Sequence, residues 1–244
     1  MVNTQTQYER YGYSVKEKLI PKALLVAAKE KVIEIQENQP HWATDSWQFL
    51  DPKRKTNSKG EGLPIGIQRA SIFEEQFKVI AEHNNIVAAA EELLGGKVRL
   101  FTDQIIIKHG FIDEDQGGRS YYHQDSYYWK LQPNLGVNCW IPFDEVGKDA
   151  IALGIMPGSH ADGKLVEHEE YYDQPAWGSI REGEFKAFVR HRIPEKLIDD
   201  TSEVILPMKS GDGLFFSNHT WHRSEPNRTG ESKMFYATAY RLVP

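Results

Sequence analysis

After Pro21, apolar residues recur at three- and four-residue spacing: Leu24, Leu25, Ala28, Val32 and Ile35. That period predicts an amphipathic helix, with the proline well placed in its first turn. Over residues 41–70 the period is lost, and the charged run DPKRKTNSKGEG reads as a loop. It returns over 72–94, where Phe73, Phe77, Ile80, Ala81, Ala90, Leu93 and Leu94 fit a second helix and Gly95-Gly96 supplies its stop. From Lys97 onward the pattern changes to short β-branched and aromatic runs, among them VRLFTDQIIIKHG, VNCWIPF, DGLFFSN and KMFYATAYRLV, separated by Gly, Pro and Asp. No helix alternates with each strand, which argues against a parallel α/β sheet. The expectation is a single domain: a mainly helical part over 1–96, then an all-β core over 97–244 with flanking helices, a sandwich or barrel. Residues 161–200 interrupt the β pattern with a polar, aromatic-dotted stretch, too long for a plain connection and of the kind that forms lids or binding loops.

Composition changes this picture little. The 244 residues carry a net charge of -6, which argues against nucleic acid or an anionic membrane as partner, since both need a basic face. A lone cysteine, Cys139, excludes an intrachain disulfide and a cysteine-based zinc site, and its apolar surroundings place it in the core. The first residues hold no apolar signal region and ALLVAA is far too short to span a bilayer, so a cytoplasmic protein, monomer or homodimer, is expected.

The candidate chemistry lies in SYYHQDSYYW, where His123 and Asp125 stand two apart. On an extended backbone such residues share a face, so an imidazole and a carboxylate can converge on one ion. A third ligand is expected from a distant strand, and DGLFFSNHTWHRSEPNRT offers His219 and His222. Two histidines and one carboxylate leave three octahedral positions open, which suits Fe(II) with a bidentate co-substrate and dioxygen. The flanking Tyr121, Tyr122, Tyr127, Tyr128 and Trp129 fit a pocket mouth. Trp140 and Trp221 are candidates for the pocket or for the core. Arg190-His191-Arg192 is a candidate contact for an anionic substrate or a solvated loop.

Taken in order, QIIIK at 104–108, HQD at 123–125, CWIPFDE at 139–145, MPGSH at 156–160 and GDGLFFSNHTWHRSEPNRT at 211–229 resemble the phytanoyl-CoA dioxygenase family, which includes ectoine hydroxylase and natural-product hydroxylases. The opening ERYGYSVKEKLIPKALL is similar more loosely. The resemblance implies a double-stranded β-helix (a cupin-like jelly roll) after N-terminal helices, the cofactors Fe(II), 2-oxoglutarate and O2, and a small-molecule substrate. It implies His123, Asp125 and His222 as metal ligands, His222 being preferred over His219 because the run x-S-x-P-N follows it directly. Where the family usually has an arginine for the distal carboxylate of 2-oxoglutarate, this chain has Lys233, a point charge without the bidentate fork. Arg228 and Arg241 are alternatives. Lys108 resembles a basic residue near the co-substrate in relatives. Gln104 shares its strand face, and Ser224 and Thr229 are further contacts. Related halogenases have Ala or Gly in place of Asp125, so hydroxylation is expected over halogenation. The competing readings are a cupin-type metalloenzyme that does not use 2-oxoglutarate, for which Lys233 is the only support, and a metal-free β-sandwich binding protein.

Overall fold

The computed structural model describes residues 4–39, 42, 46–110, 120–171 and 177–243. Its helices are α1 (Thr4–Tyr11), α2 (Lys22–Asn38), α3 (Ala70–Phe73), α4 (Glu75–Ala81), α5 (Asn84–Leu94) and α6 (Asp125–Trp129). The strands are β1 (Tyr13–Lys16), β2 (Trp47–Leu50), β3 (Pro64–Gln68), β4 (Val98–Lys108), β5 (Gly136–Pro142), β6 (Leu153–Ile155), β7 (Glu169–Tyr171), β8 (Trp177–Arg181), β9 (Glu184–Ala187), β10 (Arg190–Arg192), β11 (Val204–Leu206), β12 (Gly213–Ser217), β13 (His222–Ser224) and β14 (Lys233–Leu242). The fold is mainly β. A nine-stranded antiparallel sheet runs β1-β12-β5-β14-β4-β3-β2-β8-β9, beside a three-stranded sheet β11-β6-β13 and the pair β10-β7.

Period-two alternation sorts the central strands into two faces. On one face Ile105, Ile107, Cys139, Ile141, Phe215, Met234, Tyr236 and Tyr240 bury against Leu25, Ala28 and Val32 of α2, Phe77 and Ile80 of α4, and Ile86 and Ala90 of α5. On the other, Ile106, Trp140, Leu214, Phe216 and Phe235 share a second buried cluster with Leu153 and Ile155 of the small sheet. The single predicted strand face through Gln104, Ile106 and Lys108 is therefore the inner one.

Two expectations for the N-terminal part are corrected. The charged run 51–62 forms turns, but the stretch 41–70 also contains β2 and β3, which join the main sheet through β8 and β4. The helix expected over 72–94 is three helices. Glu74 is extended (φ -135°, ψ 125°) between the first two. His83 is extended before the third, its Nδ1 accepting the backbone N–H of Asn85 at 3.3 Å. Asn85 in turn donates to the Leu19 carbonyl at 2.9 Å, which aims α5 at the sheet. Gly95 ends α5 in the left-handed region (φ 71°), as its position predicts. The segment 161–200 contributes β8 and β9 to the main sheet's edge and the pair β7–β10, with 172–176 outside the described residues. No helix among the described residues is long and apolar enough to cross a membrane.

Candidate active site

His123 and His222 face each other across an antiparallel bridge, the backbone N–H of each donating to the other's carbonyl at 3.1 and 3.2 Å. Gln124 is extended (φ -114°, ψ 129°), but Asp125 is the first residue of α6 and not a further strand residue. The helical turn still brings the carboxylate back to the histidines: Oδ1 lies 3.8 Å from His123 Nε2 and Oδ2 lies 3.6 Å from His222 Nε2. One donor atom from each of the three falls within 4.8 Å of the others.

The donor set fits a metal. Nδ1 of His123 faces the Tyr121 carbonyl at 2.9 Å, and Nδ1 of His222 faces that of Thr220 at 3.0 Å. A carbonyl only accepts, so each ring carries its proton on Nδ1 and turns the Nε2 lone pair toward Asp125. Burial, and then the facing His222, pushes His123 down to about 3, and burial pushes His222 down to about 4. Both rings are therefore neutral at physiological pH, the form that ligates. Burial raises Asp125, opposed by His123 and by the amide of Asn138, which donates to Oδ2 at 2.7 Å.

These residues line one end of a cavity of about 420 Å³, within the range typical of small-molecule sites. Lys108, 3% exposed, donates from Nζ to Ser224 Oγ and to the Glu225 carbonyl, both at 2.7 Å. Ser120 Oγ lies 2.9 Å from Ser224 Oγ. Lys108, Ser120, Ser224 and Gln104 all line the cavity. Gln104 accepts from Gln68 Nε2 at 2.8 Å and stands four strand residues, roughly 13 Å, from Lys108.

Other sequence candidates are placed elsewhere. Lys233 pairs with Lys108 in the register, but its ammonium lies 3.7 Å from Glu231 and is not among the cavity walls. Arg228 pairs with Asp149 at 3.3 Å, Arg241 sits over the Phe101 ring, and Thr229 bonds Asn227. His219 is buried outside the metal group. Of the aromatic candidates, Tyr128, Trp129 and Trp140 line the cavity. Tyr127 instead stacks on His168, and Trp221 packs with Tyr122, Met156 and Ile193. Arg190 lines the cavity and stacks over Trp177, while Arg192 pairs with Glu169 and Glu195. The Tyr128 hydroxyl donates to the His191 carbonyl at 3.1 Å and receives its N–H at 3.2 Å, tying the 161–200 segment to the metal helix. Sequence reasoning missed Asn138, Gln68, Gln48 and Ser120. Asn138 had a signal, a polar side chain in the apolar run GVNCWIPF, on the face it shares with Trp140.

The model of the phytanoyl-CoA dioxygenase (PhyH) family matches residues 8–235. Among solved structures the chain is similar to EctD from S. alaskensis in its apoform (14% identity, TM-score 0.72, covering 99% of this chain and 77% of that one). It is also similar to EvdO2 from Micromonospora carbonacea var. aurantiaca complexed with 2-oxoglutarate (15%, 0.71, 100% and 92%). A third is the epimerase SnoN in complex with Fe3+, alpha ketoglutarate and nogalamycin RO (17%, 0.67, 98% and 82%). At these identities the structures speak for a shared fold.

Proposed function

This chain belongs to the phytanoyl-CoA dioxygenase family of iron- and 2-oxoglutarate-dependent oxygenases, and on that premise we propose that it hydroxylates an unactivated C–H bond of a small molecule. The observation that carries the reading is the convergence of His123, Asp125 and His222 on the wall of one cavity. We read the nine-stranded and three-stranded sheets, joined by one apolar cluster, as the two walls of a double-stranded β-helix.

His123, Asp125 and His222 hold the metal, and Lys108 with Ser224 takes the distal carboxylate of 2-oxoglutarate. Ser224 lies two residues from His222 on the same strand face, roughly 7 Å along β13, a separation a five-carbon diacid can span. Bound iron with 2-oxoglutarate and O2 supplies the oxidant for the C–H bond. The chain's own work is positioning. The Tyr121 and Thr220 carbonyls fix both imidazole tautomers, Asn138 orients the Asp125 carboxylate, and Lys108 offsets the diacid's charge away from water. On a bound iron the Asp125 carboxylate would fill the coordination position that a halogenase leaves open, which favours hydroxylation.

The test is release of succinate from 2-oxoglutarate by the Fe(II)-loaded protein without added substrate, beside anaerobic titration of the charge-transfer absorption. Correctly folded protein that takes up Fe(II) but gives neither signal would overturn the reading.

A further inference from the structure

Gln124 stands between the ligand residues His123 and Asp125 and is fully buried. It is also the N-cap of α6, yet its side chain makes no cap. The amide is engaged elsewhere. Its Nε2 donates to the Lys164 carbonyl at 2.8 Å and to the His219 carbonyl at 2.9 Å, and its Oε1 accepts the Val166 N–H at 2.8 Å. Two carbonyl partners and one N–H partner fix which amide atom is which. The backbone N–H of Gln124 donates to His168 Nε2 at 3.1 Å, and its carbonyl accepts the Tyr127 N–H at 3.0 Å. His168 is buried and suited to that contact. Its Nδ1 faces the Val166 carbonyl at 2.7 Å and therefore carries the proton, which leaves the Nε2 lone pair for Gln124. Its ring stacks on Tyr127 of α6, the centroids 4.2 Å apart and the planes within 19°.

One side chain thus joins three pieces of chain. The first is the turn that carries His123 and Asp125, and the second is the carbonyl three residues before His222. The third is residues 164–168, part of the segment that also supplies Phe188, Val189 and Arg190 to the cavity wall. Burying a primary amide costs free energy unless each donor and acceptor is met, and a polar network met in full holds one arrangement. Three side chains that must converge on one ion need such a fixed arrangement. The Tyr121 and Thr220 carbonyls hold the two imidazole rings, but they do not hold the turn from which His123 and Asp125 project.

We propose that Gln124 and His168 are positioning residues of the metal site: His168 acts through the Gln124 backbone, Gln124 through the chain beside all three ligands, and residues 164–168 thereby set the ligand geometry. The proposal rests on the oxygenase reading, since it concerns that reading's metal. Its test is Mn(II) affinity by calorimetry, beside the urea midpoint, in His168→Phe, His168→Gln and Gln124→Met. His168→Phe keeps the stack on Tyr127 and removes the acceptor, whereas His168→Gln removes the stack and keeps an acceptor. Positioning gives Mn(II) binding weaker by about tenfold or more in His168→Phe and Gln124→Met, with recovery in His168→Gln. Packing alone gives the opposite order for the two His168 variants. An unchanged Kd in His168→Phe, or His168→Gln binding no better than His168→Phe, overturns the proposal. That pair decides even where Gln124→Met does not fold. The premise is read separately: wild-type protein that binds no Mn(II) sinks the oxygenase reading, whereas wild type that binds it beside unaltered variants sinks the positioning role alone.

Discussion

The two faces of β4, β5 and β14 are made from alternate residues of the same strands, yet they have opposite characters. Toward the helices stand Ile105, Ile107, Cys139, Ile141, Met234 and Tyr236, a sealed apolar layer in which Tyr236 donates to Asp103 at 2.9 Å. Toward the cavity the large apolar Ile106, Trp140 and Phe235 alternate with Gln104, Lys108, Asn138, Ala237 and Ala239, which are polar or small. The outer face stabilises the fold, while the inner face gives up packing to keep space and hydrogen-bonding groups near the metal. At the polar and small inner positions, stability and activity should therefore separate from each other.

The sharpest break of that comparison is Asp125→Ala. From α6, across the cavity from the inner face, it removes the carboxylate and should reduce succinate formation to background, while the metal-free protein keeps its denaturation midpoint or gains slightly, because a buried carboxyl is relieved. Measurable turnover in the folded variant would dismiss Asp125 as a ligand. Next comes Ile105→Ala on the outer face, where a fully buried side chain leaves a hole between sheet and helices. It should cost about 2–5 kcal/mol in urea denaturation, with the metal affinity of the folded fraction unchanged. A loss below that range would mean that the helices close over the gap.

How much of this contrast was legible depends on whether a signal was local. The metal residues lie in two contiguous motifs, HQD and HRSEPN, and strand alternation alone placed Gln104 with Lys108 on one face. β2 and β3 were not legible because WQFL and PIGIQ are four and five residues long, too short to show a period, and their partners are β8 and β4, far along the chain. Gln48 and Gln68 were lost with them. The helix breaks at Glu74 and His83 interrupt an apolar period that reads through them: at His83 the ring caps the next helix, a bond that periodicity does not report, and at Glu74 one extended residue breaks the helix without any side-chain cap. Lys233 shows a different limit: its strand position was readable, but the pull of Glu231 on its side chain was not.

That last point sets a smaller test within the inner face. Lys108 and Lys233 are cross-strand partners, one buried among cavity hydroxyls and one beside a surface carboxylate. Lys108→Met should raise KM for 2-oxoglutarate roughly ten- to hundredfold, the worth of a charged hydrogen bond. Lys233→Met should change it by less than about threefold, because its ammonium faces the exposed Glu231 and not the cavity. The reverse ranking in succinate kinetics would make Lys233 the anchor and leave Lys108 a structural tie to β13.

A further effect is expected on stability with pH. His222 and His123 are held neutral on the inner face, well below the ordinary histidine value of 6.5. The unfolded chain takes up protons near that value and the folded chain does not, so the metal-free protein loses stability as pH falls from about 6.5 toward 4. The slope is at most about 1.4 kcal/mol per pH unit for each ring. His123 carries it over the longer span, because it stays neutral down to about 3 and His222 down to about 4. Other buried histidines, His109 among them, add to the same decline, so the informative quantity is the difference between wild type and His222→Gln. The variant's urea midpoint should fall less steeply between pH 7 and 5, roughly the range in which one histidine titrates when unfolded. Parallel curves would mean that His222 is not held neutral, and the inner face would then lack the unprotonated donor that metal binding requires.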